Sequence, residues 1–237
     1  MSVSVVIPTY NRYNNLLNCL VSILNQTYQN FEIIVVNDNS SDPRYYNLNM
    51  SKVKFIHLKK GSKEILGFPC GAYCRNIGMK NSNNEYIAFC DDDDIWMPNK
   101  LEIQLNEMKI NGSYISCTEG YIGNGFYNNS IKYPLYNKEH YYEILCKKYN
   151  MDCSKKEDFP TYLDFDFINK HNLIITSSVI MKNIVTEIGY MELIKNGGQL
   201  VDGEKIFQDY EYWKNFLKKY KCLYIKIPLF YYDLKKY

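Results

Sequence analysis

Four short apolar runs, each closed by a polar cluster, fix what the first half of this chain can become. Residues 3–7 are a continuous β-branched and serine stretch stopped by Pro8-Thr9-Tyr10-Asn11-Arg12. Residues 31–36 end in Asn37-Asp38-Asn39-Ser40-Ser41-Asp42, and residues 53–58 precede a polar, glycine-containing loop at 59–67. Residues 86–89 run into Asp91-Asp92-Asp93-Asp94. Runs this short and this apolar suit strands buried on both faces of a parallel sheet. Helical patterns lie between them. Leu16, Leu20, Ile23, Leu24 and Thr27 share one helical face, residues 69–80 read as a helix carrying Arg75-Asn76, and Leu101, Leu105 and Met108 stripe a helix opened by Pro98. Alternation of this kind predicts an α/β fold of βαβ units, a mostly parallel central sheet with helices on both faces. Ligands of such sheets bind beyond the carboxyl ends of the strands. The clusters at 8–12, 37–42 and 91–94 are therefore expected to meet in one crevice.

The acidic run adds chemistry to that crevice. Four adjacent carboxylates repel one another and resist burial. A chain that sets them at the end of a core strand is expected to hold a cation. Hard oxygen ligands suit Mg2+ or Mn2+, which take one or two carboxylates and leave the other positions to water and phosphate. The alternative is a solvated acidic turn. The 28 Lys and Arg against 26 Asp and Glu give a net charge of +2, too even for a general nucleic-acid binder. No stretch reads as a signal peptide or approaches ~18 uninterrupted apolar residues. A cytoplasmic protein without a membrane span is expected. The eight cysteines contain no CxxC pair and read as free thiols.

The second half is less regular. Residues 121–127 look like a hairpin, 138–149 like a helix, 173–181 like a strand, 205–220 like a helix and 223–232 like a final extended segment. Residues 150–170 show no period. Trp96 and the tyrosines of this half suit either sugar stacking or core packing. The Lys-rich end, 214–236, suits either a solvated face or peripheral contact with anionic lipid.

Five stretches, in order, carry a family resemblance. Residues 3–12 form an opening strand and PTYNR loop. Residues 35–42 are similar to a VVDDGSSD motif with Asn37 in place of its first Asp, and residues 75–78 to ARNxG. Residues 89–98 are similar to FLDADDxWxP, including a DXD, and residues 208–213 to EDYELW with Gln208 in place of Glu. Together they resemble the family 2 glycosyltransferases of GT-A fold over nearly the whole chain. The resemblance implies one GT-A domain over 1–237, with 1–111 binding a nucleotide sugar and 112–237 the acceptor. It implies transfer of a hexose or related sugar from a UDP-sugar to an acceptor hydroxyl, with inversion and with Mn2+ or Mg2+.

Residue by residue, the resemblance makes Asp93 and Asp91 metal ligands and turns Asp91 or Asp92 toward the donor ribose. Asp38 would accept from the uracil ring N–H, Tyr10 would stack on the base, and Pro8, Thr9 and Arg75 would line the nucleotide. Asp94 would cap the next segment. Asp209 is the implied base. On a helix, Ile206, Tyr210, Trp213 and Leu217 form an apolar stripe that Asp209 flanks while Glu211 points away. The acceptor, whether glycan, lipid or protein, is not named by any motif. One rival is a non-catalytic member of the fold that binds a nucleotide or glycan. Another, a dinucleotide oxidoreductase, needs a GxGxxG turn after the first strand, and residues 7–13 contain no glycine.

Overall fold

The computed structural model describes residues 1–143, 159–170, 172–201 and 204–234. The first half alternates as the apolar runs require: β1 (Val3–Thr9), α1 (Tyr13–Leu24), β2 (Phe31–Asn37), β3 (Val53–His57), α2 (Ser62–Leu66), α3 (Gly71–Lys80), β4 (Tyr86–Phe89), β5 (Ile95–Trp96) and α4 (Lys100–Ile110). Then come β6 (Ile115–Gly123), β7 (Tyr162–Leu163), α5 (Phe165–Lys170), β8 (Ile180–Lys182) and α6 (Val185–Ile188). A small hairpin, β9 (Gln199–Val201) and β10 (Glu204–Ile206), leads into α7 (Gln208–Leu217) and the long β11 (Cys222–Asp233).

The strands lie in the order β3-β2-β1-β4-β8-β6-β11-β5. β3, β2, β1 and β4 are parallel, β8 runs antiparallel to both β4 and β6, and β6 is parallel to β11. The sheet is thus mostly parallel, as expected. Chain order runs outward from β1 to β2 and β3, then returns to place β4 on the other side of β1. That reversal makes β1/β4 the topological switch point, where such sheets open a crevice. β8 points the opposite way, so the turn before it, Thr176–Ser178, arrives at the same edge as the carboxyl end of β4. β11 brings its own carboxyl end, Asp233, to that edge.

Two apolar layers hold the sheet. On one face Val3, Val5 and Ile7 pack with Leu16, Leu20 and Ile23 of α1 and with Leu101, Leu105 and Met108 of α4. On the other, Val6, Ile87 and Phe89 pack with Trp213, Phe216 and Leu217 of α7. α3 lies on this second face, against β1 and β2, and Gly78 is what lets it approach. A Cβ at Gly78 would stand 2.3 Å from Val6 Cγ1, inside contact distance. Gly78→Ala gains helix propensity but overpacks this contact. It should therefore cost about 1–3 kcal/mol. A lower denaturant midpoint at unchanged slope would report that loss; a raised midpoint would mean the helix can back away freely.

Several boundaries differ from the sequence reading. α1 stops at Leu24, so Thr27 is exposed and hydrogen bonds Glu102 at 2.7 Å instead of joining the apolar face. The loop expected at 59–67 holds the short helix α2. The strand expected over 173–181 is a tight turn at Thr176–Ser178 followed by three strand residues. The helix expected from 205 begins at Gln208, because residues Glu204–Ile206 pair as a strand. The expected hairpin at 121–127 is the end of β6, with one antiparallel bridge from Tyr121 to Leu135. A π-type turn at Tyr136–Tyr141 occupies the start of the expected helix at 138–149, and the rest of that helix lies outside the described residues. Trp96 is buried and its indole N–H donates to Ser177 O at 3.0 Å, which is core packing. Among the described residues no helix is long and apolar enough to cross a membrane.

Candidate active site

The crevice at the switch point is a cleft of about 650 Å3 lined by Pro8, Thr9, Tyr10, Arg12, Asp38, Arg75, Asp91, Asp92, Asp93 and Asp209. The loops after β1 and β2 are tied together at its rim. Asn11 and Asn39 take left-handed backbone conformations, φ 51° and 58°, which Asn tolerates better than most residues. Asn11 N–H donates to Ser40 Oγ at 2.9 Å, and Asn11 Oδ1 accepts from Ser41 N–H at 2.9 Å. Asn37, in place of a carboxylate, is buried in the turn: it accepts from Ser40 N–H at 3.0 Å and its amide nitrogen lies 3.1 Å from His57 Nδ1. Asp38 projects into the cleft. Its two oxygens accept from Ser62 N–H and Ser62 Oγ, each at 2.6 Å, so the first turn of α2 orients the carboxylate. Each oxygen has a second lone pair for a ligand N–H. Tyr10 is 56% exposed on the same rim.

The four aspartates separate by direction, as an extended backbone demands. Asp91 is paired with Arg75 Nη2, and its carboxylate is 31% exposed. Asp92 turns inward: it accepts from Thr9 Oγ1 at 2.7 Å and from Arg12 Nη1 at 3.3 Å. Burial, then the Asp93 charge, push its carboxyl up to about 7. Asp93 meets Arg12 Nη1 at 2.6 Å. Burial, then the Asp91 charge, hold Asp93 up at about 6, with Asp233 adding to the effect. Asp94 does not cap the next segment. It is fully buried, accepts from Ser177 Oγ and, at 3.2 Å, from the Asp233 backbone N–H. It therefore ties the acidic loop to the 176–178 turn and to β11, and burial pushes its carboxyl well up.

Arg75 is buried inside this site, not at the surface. Burial opposes its charge, but Asp91 and Asp209 more than offset that and hold it above its ordinary value. Its Nε has no hydrogen-bond partner within the described residues. Asp209, in the first turn of α7, accepts from Thr176 Oγ1 at 2.8 Å through Oδ2 and from Tyr210 N–H at 2.9 Å through Oδ1. Gln208 beside it does what a glutamate could not. Its Oε1 accepts from Ala72 N–H at the start of α3 while its Nε2 donates to Asn196 Oδ1 at 3.0 Å. Asn196 Oδ1 also accepts from Gly71 N–H at 2.8 Å.

The cleft brings together all nine residues that sequence reasoning singled out. It also contains Arg12, Lys195, Asn196, Tyr232 and Asp233, to which no role was attached. Arg12 was visible within the PTYNR stretch, but nothing in one sequence says its guanidinium reaches across to the acidic loop. Lys195 and Asn196 come from an irregular segment with no periodicity to read, and Tyr232 and Asp233 end β11, where nothing in the sequence turns them toward the cleft. For a divalent cation, the donor set is suitable: two hard-oxygen carboxylates, Asp91 and Asp93, partly open to the cleft. No group of three or more His, Cys, Asp or Glu placed to hold a metal ion is found among the described residues.

Residues 4–188 match the family model described as Glycosyl transferase family 2. The chain belongs to that family. A glycosyltransferase of Escherichia coli, WfgD, is 33% identical over 193 residues, covering 78% of this chain and 72% of that protein; its name is UDP-Glc:alpha-D-GlcNAc-diphosphoundecaprenol beta-1,3-glucosyltransferase. An uncharacterized glycosyltransferase of Rickettsia bellii is 40% identical over 120 residues, 49% of this chain. The match spans only 16% of that relative, and 19% and 18% of those from R. felis and R. conorii. Among solved structures, S. aureus TarS 1-349 in complex with UDP-GlcNAc superposes with a TM-score of 0.68 at 17% identity, covering 100% of this chain and 60% of that one. At that identity the superposition establishes the GT-A fold, as the sheet order and switch point imply.

Proposed function

We propose that this glycosyltransferase family 2 chain moves a hexose or related sugar from a UDP-sugar to an acceptor hydroxyl, with inversion and with the help of Mn2+ or Mg2+. One observation carries the reading: a single cleft at the β1/β4 switch point joins Asp38, Arg75, Asp91 and Asp93 to a second carboxylate on another element, Asp209. The UDP-sugars in the names of WfgD and of the TarS complex support the donor class. The acceptor in the names of WfgD and WfaP, a sugar on diphosphoundecaprenol, makes a lipid-linked glycan the first acceptor to try.

Each side chain then has a task that suits its chemistry. Asp38, held by Ser62, accepts from the uracil ring N–H, and exposed Tyr10 stacks on the base beside Pro8 and Thr9. Arg75, with its unpartnered Nε, donates to ribose or phosphate oxygen. Asp91 and Asp93 would hold the divalent ion, which when bound offsets the charge developing on the leaving diphosphate. Asp92 supports this loop from within, through Thr9 and Arg12. Asp209 removes the acceptor proton while Thr176 fixes one of its oxygens.

Donor binding tests the assignment directly. Asp38→Asn keeps the size of the side chain and replaces a charged acceptor by an amide. It should weaken UDP by roughly 1–3 kcal/mol, the range for a hydrogen bond to a charged group, as read by titration calorimetry with Mn2+. An unchanged dissociation constant would reduce Asp38 to a turn residue that orders Ser62.

A further inference from the structure

The two arginines of the cleft are held differently. Arg75 is locked: its side chain is 7% exposed and it is paired with Asp91. Arg12 is 34% exposed, and its guanidinium reaches Asp93 at 2.6 Å and Asp92 at 3.3 Å. Its backbone N–H donates to Tyr45 Oη at 2.7 Å. Thr9 spends its hydroxyl proton on Asp92, so Tyr45 in turn donates to Thr9 Oγ1 at 3.1 Å, and that relay supports the loop beneath the Arg12 side chain. A partly exposed cation therefore sits on the carboxylate assigned above to the metal.

We propose that Arg12 is the resident counter-ion of Asp93, that a divalent cation displaces it, and that the released guanidinium then pairs with the diphosphate of the donor. This rests on the metal reading of the cleft. Two positive groups on one carboxylate repel strongly at contact distances in a partly buried site. While the guanidinium holds Asp93 Oδ2, the carboxylate gives an ion less than its full charge. The diphosphate offers the displaced arginine a bidentate partner in the same cleft. Metal and nucleotide should consequently bind with positive coupling, each easing the other, because Arg12 must move for one and is welcomed by the other. Arg12 answers the charges of Asp92 and Asp93, and Arg75 that of Asp91.

The test measures Mn2+ itself, by the electron paramagnetic resonance signal of the free ion, with and without UDP. Wild type is compared with Arg12→Met, Arg12→Lys and Asp93→Asn. Without UDP, Arg12→Met should bind Mn2+ about five- to tenfold tighter than wild type, the gain that removal of one partly exposed ion pair allows. Arg12→Lys, which keeps a point charge, should stay near wild type. With saturating Mn2+, Arg12→Met should bind UDP more weakly, by about tenfold, the loss of one charge-assisted contact. Equal or weaker Mn2+ binding by Arg12→Met, with Asp93 still required, would overturn the counter-ion role alone. Failure of wild type to bind Mn2+ even with UDP, or undiminished binding by Asp93→Asn, would instead remove the metal reading and this inference with it.

Discussion

Asp209→Asn should lower turnover by roughly 10²–10⁴-fold, the usual contribution of a positioned general base, while donor affinity stays near that of wild type. The substitution is nearly isosteric. The amide oxygen can keep the Tyr210 N–H, now 2.9 Å from Oδ1, while its NH2 donates to the Thr176 hydroxyl oxygen in place of Oδ2, so the start of α7 should keep its geometry. What the side chain loses is the ability to take a proton. Donor affinity should be spared because the proposed nucleotide contacts lie on other elements: Asp38 after β2, Arg75 in α3 and the acidic loop after β4. The same geometry predicts the stereochemical outcome. A base on α7, a different element from the acidic loop, would activate the acceptor for attack on the face opposite the leaving diphosphate, so an α-linked nucleotide sugar should give a β-linked product. Near-normal turnover of Asp209→Asn would move the base elsewhere, with Glu211 the neighbouring candidate; Glu211 is paired with Lys214 at 2.7 Å, which suits a helix-surface ion pair more than a base. An NMR coupling constant showing a retained α configuration would rule out single displacement.

The fold of the first half was legible because burial writes itself into short sequence. Residues of β1, β2 and β4 are buried almost throughout, so their runs are apolar at nearly every position and cannot be mistaken for amphipathic helix. The meeting of three strand-end clusters followed from connectivity alone. The second half was harder for physical reasons. β8 has three residues and β7 two, too short for any period to register. β11 carries Pro228 at a register shift against β6, which reads in sequence as an interruption. Residues Glu204–Ile206 extend the helical pattern of α7 upstream, yet their backbone pairs with β9.

Within the site, residue type was easier to read than direction. Four consecutive aspartates announce a charged site, but only the pairing of β4 with β8 and the return of β11 decide that Asp94 is consumed by Ser177 and the backbone of Asp233. Asp92 was placed with the donor contacts; it lines the cleft, and its carboxylate is held by Thr9 and Arg12, a direction that residue type alone does not give. The departures at Asn37 and Gln208 looked like losses against the family motif. Both amides use a donor that a carboxylate lacks, Asn37 toward His57 and Gln208 toward Asn196. The arginine at position 12 could be read as a loop residue only, since its partners lie eighty residues away in the chain.

The second large effect is loss of the divalent ion. The cleft places Asp91, Asp93 and Asp233 close enough that the charges of the other two help to push Asp93 up. A diphosphate entering this acidic cleft without a cation meets like charge, which Arg75 and Arg12 offset only in part because both are already paired. Titration calorimetry of UDP, with Mn2+ and then in chelator, reads this coupling most directly, with Asp93→Asn as the companion protein. Removing Mn2+ should weaken UDP by roughly 5- to 150-fold, the range of an ordinary coupling between two ligands, and Asp93→Asn should bind UDP equally weakly with or without the ion. Equal affinity of the wild-type protein for UDP in Mn2+ and in chelator would contradict the account.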